Sequence, residues 1–185
     1  MSAYIPELNA LFIHVPRTAG TSMEKVLAPR TGGHETIRDY SLPPDVFKFA
    51  FVRHPLDRFV SAFFARDEVA GFEISVAGMN RYIEYISCKY PGELPYFGVY
   101  VEHFIPMHHF LLDFKDGIGV NFLGRYEKLD EHWDYLCNAL RIKTLPLPHY
   151  RKFDHPHFVE CYQTPKNRAY VEELYARDME LFGYS

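Results

Sequence analysis

The chain has 185 residues, with 20 Lys and Arg against 24 Asp and Glu, a formal net charge of −4. That balance counts against a general nucleic-acid binder, which needs a basic surface to neutralise phosphates, but it leaves room for a basic pocket around one small anion. Hydrophobic residues make up 48% and aromatics 17%, which argues against a disordered chain and suits one compact domain over residues 1–185.

Cys88, Cys137 and Cys161 are odd in number, widely spaced and free of any C-x-x-C pair. They read as plain thiols rather than a disulfide framework or a zinc site. Residues 1–10 carry no basic-then-apolar leader pattern, and no run approaches the ~18 apolar residues of a membrane span. A cytoplasmic location is the resulting expectation.

In chain order, the apolar run Leu11 to Val15 predicts a strand, and Pro16 to Gly20 a loop. Thr21 to Leu27 predicts a short helix, stopped by Pro29 and by Gly32 and Gly33. Phe47 to Val52 predicts a second strand, and Pro55 opens a helix to about Ala65, because proline suits the first helical position. Gly78 to Lys89 and Val101 to Leu112 are expected as helices around a loop from Pro91 to Gly98. Val120 to Tyr126 predicts a third strand and Lys128 to Leu140 a helix. Leu145 to Pro165, with four prolines, reads as irregular. Arg168 to Phe182 reads as one amphipathic helix with Val171, Leu174, Tyr175 and Phe182 on one face. Strand–loop–helix units in succession imply an α/β fold with a central parallel sheet, whose ligands bind at the strands' carboxyl ends.

Two segments place polar residues at such ends. From Val15 to Ser22 a strand ends, a tight loop follows and a helix begins. The free amides of a helix start make an anion site. Gly20 allows close backbone approach, Thr18, Thr21 and Ser22 add hydroxyl donors, and Arg17 adds a permanent planar cation. Every one of these groups donates, as a phosphate or sulfate requires. A capped helix after a loop is the plainer alternative. No lysine follows Gly20, so the segment is not a Walker A loop. In the second segment Arg53 ends a strand, and Arg58 and Ser61, three apart, share a face of the next helix. Arg53 and Ser61 suit an isolated phosphate; an Arg58–carboxylate pair is the alternative.

Phe12 to Ser22 (FIHVPRTAGTS) resembles the 5′-phosphosulfate loop of sulfotransferases that use 3′-phosphoadenosine 5′-phosphosulfate (PAPS). Phe51 to Phe63 (FVRHPLDRFVSAF) resembles their 3′-phosphate motif, in which an Arg and a Ser eight residues later hold the 3′-phosphate. Phe122 to Leu129 and Val171 to Tyr184 are similar to the family's later strand-to-helix segment and closing helix. The nearest branch is the carbohydrate type, which includes heparan sulfate 2-O-sulfotransferases and short bacterial members. The resemblance implies a P-loop-like three-layer fold with helices on both faces of the sheet, and one sulfotransferase domain over 1–185. It implies PAPS as donor and an acceptor hydroxyl, on a carbohydrate by the family's habit. It implies a cofactor site of Arg17, Thr18, Ala19, Gly20, Thr21, Ser22, Arg53 and Ser61. The family usually has Lys where Arg17 stands, and often Pro-Gln where this chain reads Pro106-Met107. It often shows an Asn and a Ser around Arg151 and Phe153.

Sulfuryl transfer needs positioning and charge stabilisation more than covalent help. Arg17 and the loop amides are placed to stabilise the departing 5′-phosphate oxygen. No metal is expected. Among ten histidines, His34 stands apart through its place after Gly32 and Gly33 and before the second strand, where the family places its base; Glu35 is the rival. His14 is expected as a structural residue of the first strand, and His54 as a helper of the helix entry. The competing functions are a nucleotide or sugar kinase on a P-loop-like fold, and a nucleotide-binding module without turnover.

Overall fold

The computed structural model describes residues 2–27, 33–65, 69–92, 101–148 and 155–185. Its chain forms two units interleaved in sequence: Met1–Arg53 with Met107–Tyr150, and His54–Pro106 with Arg151–Ser185.

The first unit holds the sheet. Strand β1, Ala3–Ile5, buries Ala3 and Ile5 and turns Tyr4 outward. A 3-10 turn, Pro6–Leu8, ends on Asn9 in the left-handed region (φ 45°) and returns the chain as β2, Ala10–Ile13. The two strands pair antiparallel, with Tyr4 opposite Leu11. All four residues of β2 are buried, and so are the last four of β3, Phe47–Val52. Such strands read as continuous apolar runs rather than alternating ones. β2 pairs parallel with β3, and β3 with β4, Phe122–Arg125; the order is β1-β2-β3-β4. The sheet is therefore mixed, with an antiparallel edge the sequence did not announce: three residues are too few to establish a period.

Helix α1, Gly20–Leu27, brings Met23 to the core of this unit, where it joins Phe12, Phe49, Phe51, Trp133 and Leu136. Gly124 in β4 lies so close to the Phe51 ring that a Cβ there would fall 2.3 Å from it, so only glycine fits.

The second unit is helical. Helices α2, Pro55–Phe64, and α3, Val76–Lys89, contribute Leu56, Phe59, Phe63, Met79 and Ile83 to its core. Each large apolar side chain so buried contributes about 1.5–3 kcal/mol. The α3 N-terminus is capped by Ser75, whose hydroxyl accepts from the Gly78 amide at 2.9 Å.

Four expected segments differ. Val101 to Leu112 is a 3-10 turn, Val101–His103, followed by a short helix α4, His108–Leu111. Pro106 lacks an amide hydrogen and restricts the residue before it, which divides the segment. Lys128 to Leu140 is a 3-10 turn, Tyr126–Lys128, and then α5, Leu129–Ala139. The irregular stretch contains α6, Phe158–Cys161, and the final helix is two, α7, Pro165–Leu174, and α8, Ala176–Phe182. Tyr175, at φ −112° and ψ 19°, leaves helical geometry between them. Of the expected face, Val171, Tyr175 and Phe182 are buried and Leu174 is half-buried against the same core. Residues 28–32 and 93–98, which hold Pro29, Gly32 and most of the expected loop after Pro91, lie outside the described residues.

Candidate active site

Between β2 and α1 the chain turns through residues with strained angles. Arg17 and Ala19 are both left-handed, at φ 70° and 68°. Each costs roughly 1–2 kcal/mol for a non-glycine residue. The turn is held by the Thr18 hydroxyl, which donates to the Val15 carbonyl at 2.8 Å. The Ser22 and Met23 amides both donate to the Ala19 carbonyl, at 3.0 and 3.3 Å. These are the first bonds of the helix, so the Gly20 and Thr21 amides stand ahead of its ladder. Amides gathered in a turn of left-handed residues at a helix start form a donor concavity suited to an anion.

His14 follows β2 and is buried, with Nδ1 2.6 Å from Glu24 Oε1 on α1. Its ring stacks on Phe12, with centroids 5.6 Å apart. A Cβ on Gly20 would fall 2.1 Å from His14 Cδ2. Gly20 is thus required by the histidine ring behind it.

His34 lies beside this pair. Its Nδ1 is 3.1 Å from the His14 carbonyl oxygen, and its ring meets the His14 ring edge-on at 4.8 Å. A carbonyl only accepts, so Nδ1 donates; in the neutral ring the lone pair of a base then lies on Nε2. Glu35 is turned differently: its Oε1 accepts from the Gly33 amide at 2.6 Å. Ser2 ties the two segments together. Its hydroxyl accepts from the His14 amide at 3.0 Å and donates to the Glu35 carbonyl at 2.8 Å, while its amide donates to the Gly33 carbonyl at 2.9 Å.

Arg53 follows β3 and is only 6% exposed. Its Nη1 donates to the Arg17 carbonyl at 3.4 Å, and its guanidinium carbon lies 4.0 Å from the centre of the Tyr126 ring. Its amide faces the sulfur of Met107 at 3.5 Å. Arg17, Arg53 and Tyr126, from the ends of β2, β3 and β4, are thus gathered at the carboxyl edge of the parallel strands, where α/β folds bind ligands. Tyr126 and Ser2 were not singled out from the sequence. Tyr126 had a signal, its place directly after a strand; a lone serine near the start has none.

In the second unit, Ser61 sits in α2 and is 2% exposed. Arg58 on the same helix is fully buried and donates to the carbonyls of His103, Phe104 and Ile105. These three partners are backbone carbonyls. His54 precedes α2 without a side-chain cap bond, and its ring packs on Phe158 at 4.8 Å and Tyr184 at 5.2 Å. Arg151 and Phe153 lie outside the described residues.

The model of the Sulfotransferase family matches residues 3–185. The chain belongs to that family and is a transferase of sulfuryl groups; the kinase alternative is not favoured. Neither a curated protein nor a solved structure gives a match. Among the described residues, no helix is long and apolar enough to cross a membrane.

Proposed function

We propose that this sulfotransferase takes its sulfuryl group from PAPS and delivers it to a carbohydrate hydroxyl. The observation that carries the donor half is the turn before α1: strained, rich in donors, and joined to a buried arginine through the Arg17 carbonyl. In this reading the backbone and hydroxyls of Thr18, Ala19, Gly20, Thr21 and Ser22 hold the 5′-phosphosulfate, with Arg17 beside them. Arg53 and Ser61 are assigned the 3′-phosphate by their motif spacing. Residues 1–185 act as one sulfotransferase domain. The match over 3–185 supports this, as does a chain that passes between its two units more than once.

His34 is the proposed base. As the acceptor oxygen bonds to sulfur, its proton passes to His34 Nε2, and the bond from sulfur to the 5′-phosphate oxygen breaks. Adenosine 3′,5′-bisphosphate leaves, and Arg17 with the turn amides stabilises the charge on the departing oxygen. The carbohydrate acceptor rests on the family resemblance and on the aromatic content.

The test is sulfuryl transfer from PAPS across a panel of sulfate-free oligosaccharides, simple alcohols and phenols. Turnover on a sugar, reduced roughly 10²–10⁴-fold in His34→Ala and largely kept in Glu35→Gln, supports the reading. Loss in Glu35→Gln with activity kept in His34→Ala moves the base to Glu35.

A further inference from the structure

The end of β4 carries a contact that the proposed transfer does not use. The Arg125 amide donates to Nδ1 of His132, on α5, at 2.7 Å. β4 is the last strand in the order of the sheet, so this bond does for the amide what the carbonyl of a further strand would do. Water would satisfy the amide of an edge strand about as well. A fixed side chain does one thing that water does not: it sets the direction in which the chain leaves the sheet.

What leaves the sheet there is Tyr126. The parallel register sets Val52 beside Arg125, so Arg53 and Tyr126 step off the sheet side by side. The Arg53 guanidinium then lies 4.0 Å from the centre of the Tyr126 ring. Among the described residues no hydrogen bond holds the Tyr126 hydroxyl, so the place of the ring depends on the backbone that carries it. His132 is itself held. It is half-buried, and its ring meets Phe122 of β4 edge-on at 6.0 Å. Phe122 stacks in turn on Tyr135, further along α5, at 5.0 Å. We propose that His132 is a positioning residue: it fixes the end of β4, and through Tyr126 it fixes the wall against which Arg53 is presented to the 3′-phosphate. The inference rests on the reading that Arg53 holds that phosphate.

The readout is the ratio of the affinities for adenosine 3′,5′-bisphosphate and adenosine 5′-monophosphate, which isolates the 3′-phosphate from the rest of the nucleotide site. His132→Leu removes the acceptor and keeps an apolar contact to Phe122. It should lower the ratio about fivefold or more, while affinity for the monophosphate stays within about twofold. His132→Asn, whose Oδ1 stands in for Nδ1, should keep most of the ratio; the smaller asparagine would not mend a general loss of packing. Tyr126→Leu should lower the ratio as His132→Leu does, and the double variant should fall little further, because the two act in series. In the parent protein, long-range ¹H–¹⁵N spectra of ¹⁵N-histidine-labelled chain, with the His132 signals assigned from His132→Asn, should show a single Nε2–H tautomer in the neutral ring, since Nδ1 accepts. An Nδ1–H tautomer at His132 overturns the inference, and so does a parental ratio in folded His132→Leu. If His132→Leu does not fold, a parental ratio in Tyr126→Leu overturns it equally. A parental ratio in Arg53→Ala overturns the 3′-phosphate assignment beneath it instead, whatever the His132 variants do.

Discussion

A guanidinium lying 4.0 Å from the Tyr126 ring and bonded to the Arg17 carbonyl has little rotamer freedom left to lose when an anion arrives. That preorganisation is specific to arginine, because a lysine ammonium cannot stack flat on a ring while offering a fork of donors. Arg53→Ala should weaken adenosine 3′,5′-bisphosphate binding by more than ~1.5 kcal/mol, and Arg53→Lys should recover less than half of the loss, as read by titration calorimetry. Ser61→Ala should cost less than Arg53→Ala. Unchanged affinity in both alanine variants returns these residues to structural roles. Gly20 belongs to the same scale. A methyl there would meet the His14 ring, so Gly20→Ala should destabilise the protein by about 1–3 kcal/mol in urea melts. An unchanged midpoint and slope would mean that the ring moves aside freely.

At the scale of elements, the turn before α1 holds two left-handed non-glycine residues, which turn chemistry ordinarily assigns to glycine. Ala19→Gly relieves one of them, and the gain should exceed the added entropy of the unfolded chain. A rise of about 0.5–1 kcal/mol in stability is expected; a fall shows that the strain is smaller than the angles imply. The strands and first helices were legible because β2 and the last four residues of β3 are continuous apolar runs, a hydroxyl-rich loop leads into α1, and Pro55 opens α2. The split of the expected Val101 to Leu112 helix at Pro106 was legible too, had the proline been weighed above the apolar spacing. The break at Tyr175 was not, because no local residue type marks it. Tyr175 is held from outside its own helix, its hydroxyl donating to the Phe104 carbonyl at 2.6 Å. The candidate site follows the same pattern. Arg17 to Ser22, Arg53 and His34 were readable from motif and position. The Glu24 partner of His14 and the Ser2 bridge were not, since they depend on contacts between segments far apart in sequence.

At the scale of the whole molecule, the tyrosines set an alkaline limit on stability. Burial is the largest cause that pushes Tyr82 and Tyr170 up to about 12, and it holds Tyr162 and Tyr175 well above the ordinary phenol range. An unfolded chain ionises its phenols near 10. Above that pH the unfolded state therefore binds fewer protons than the folded one, and stability falls as pH rises towards 12. The melting temperature should drop steeply above pH 10, and the last phenolate absorbance should appear together with loss of the circular dichroism signal. Full ionisation of all 14 tyrosines near pH 10 with the fold intact would contradict this. The central claim concerns the donor, and calorimetric titration with adenosine 3′,5′-bisphosphate against adenosine 5′-monophosphate tests it most directly. A second phosphate held by charge-assisted bonds is worth about 1.5–3 kcal/mol. The bisphosphate should therefore bind at least tenfold more tightly, and equal affinity for the two nucleotides would contradict the account.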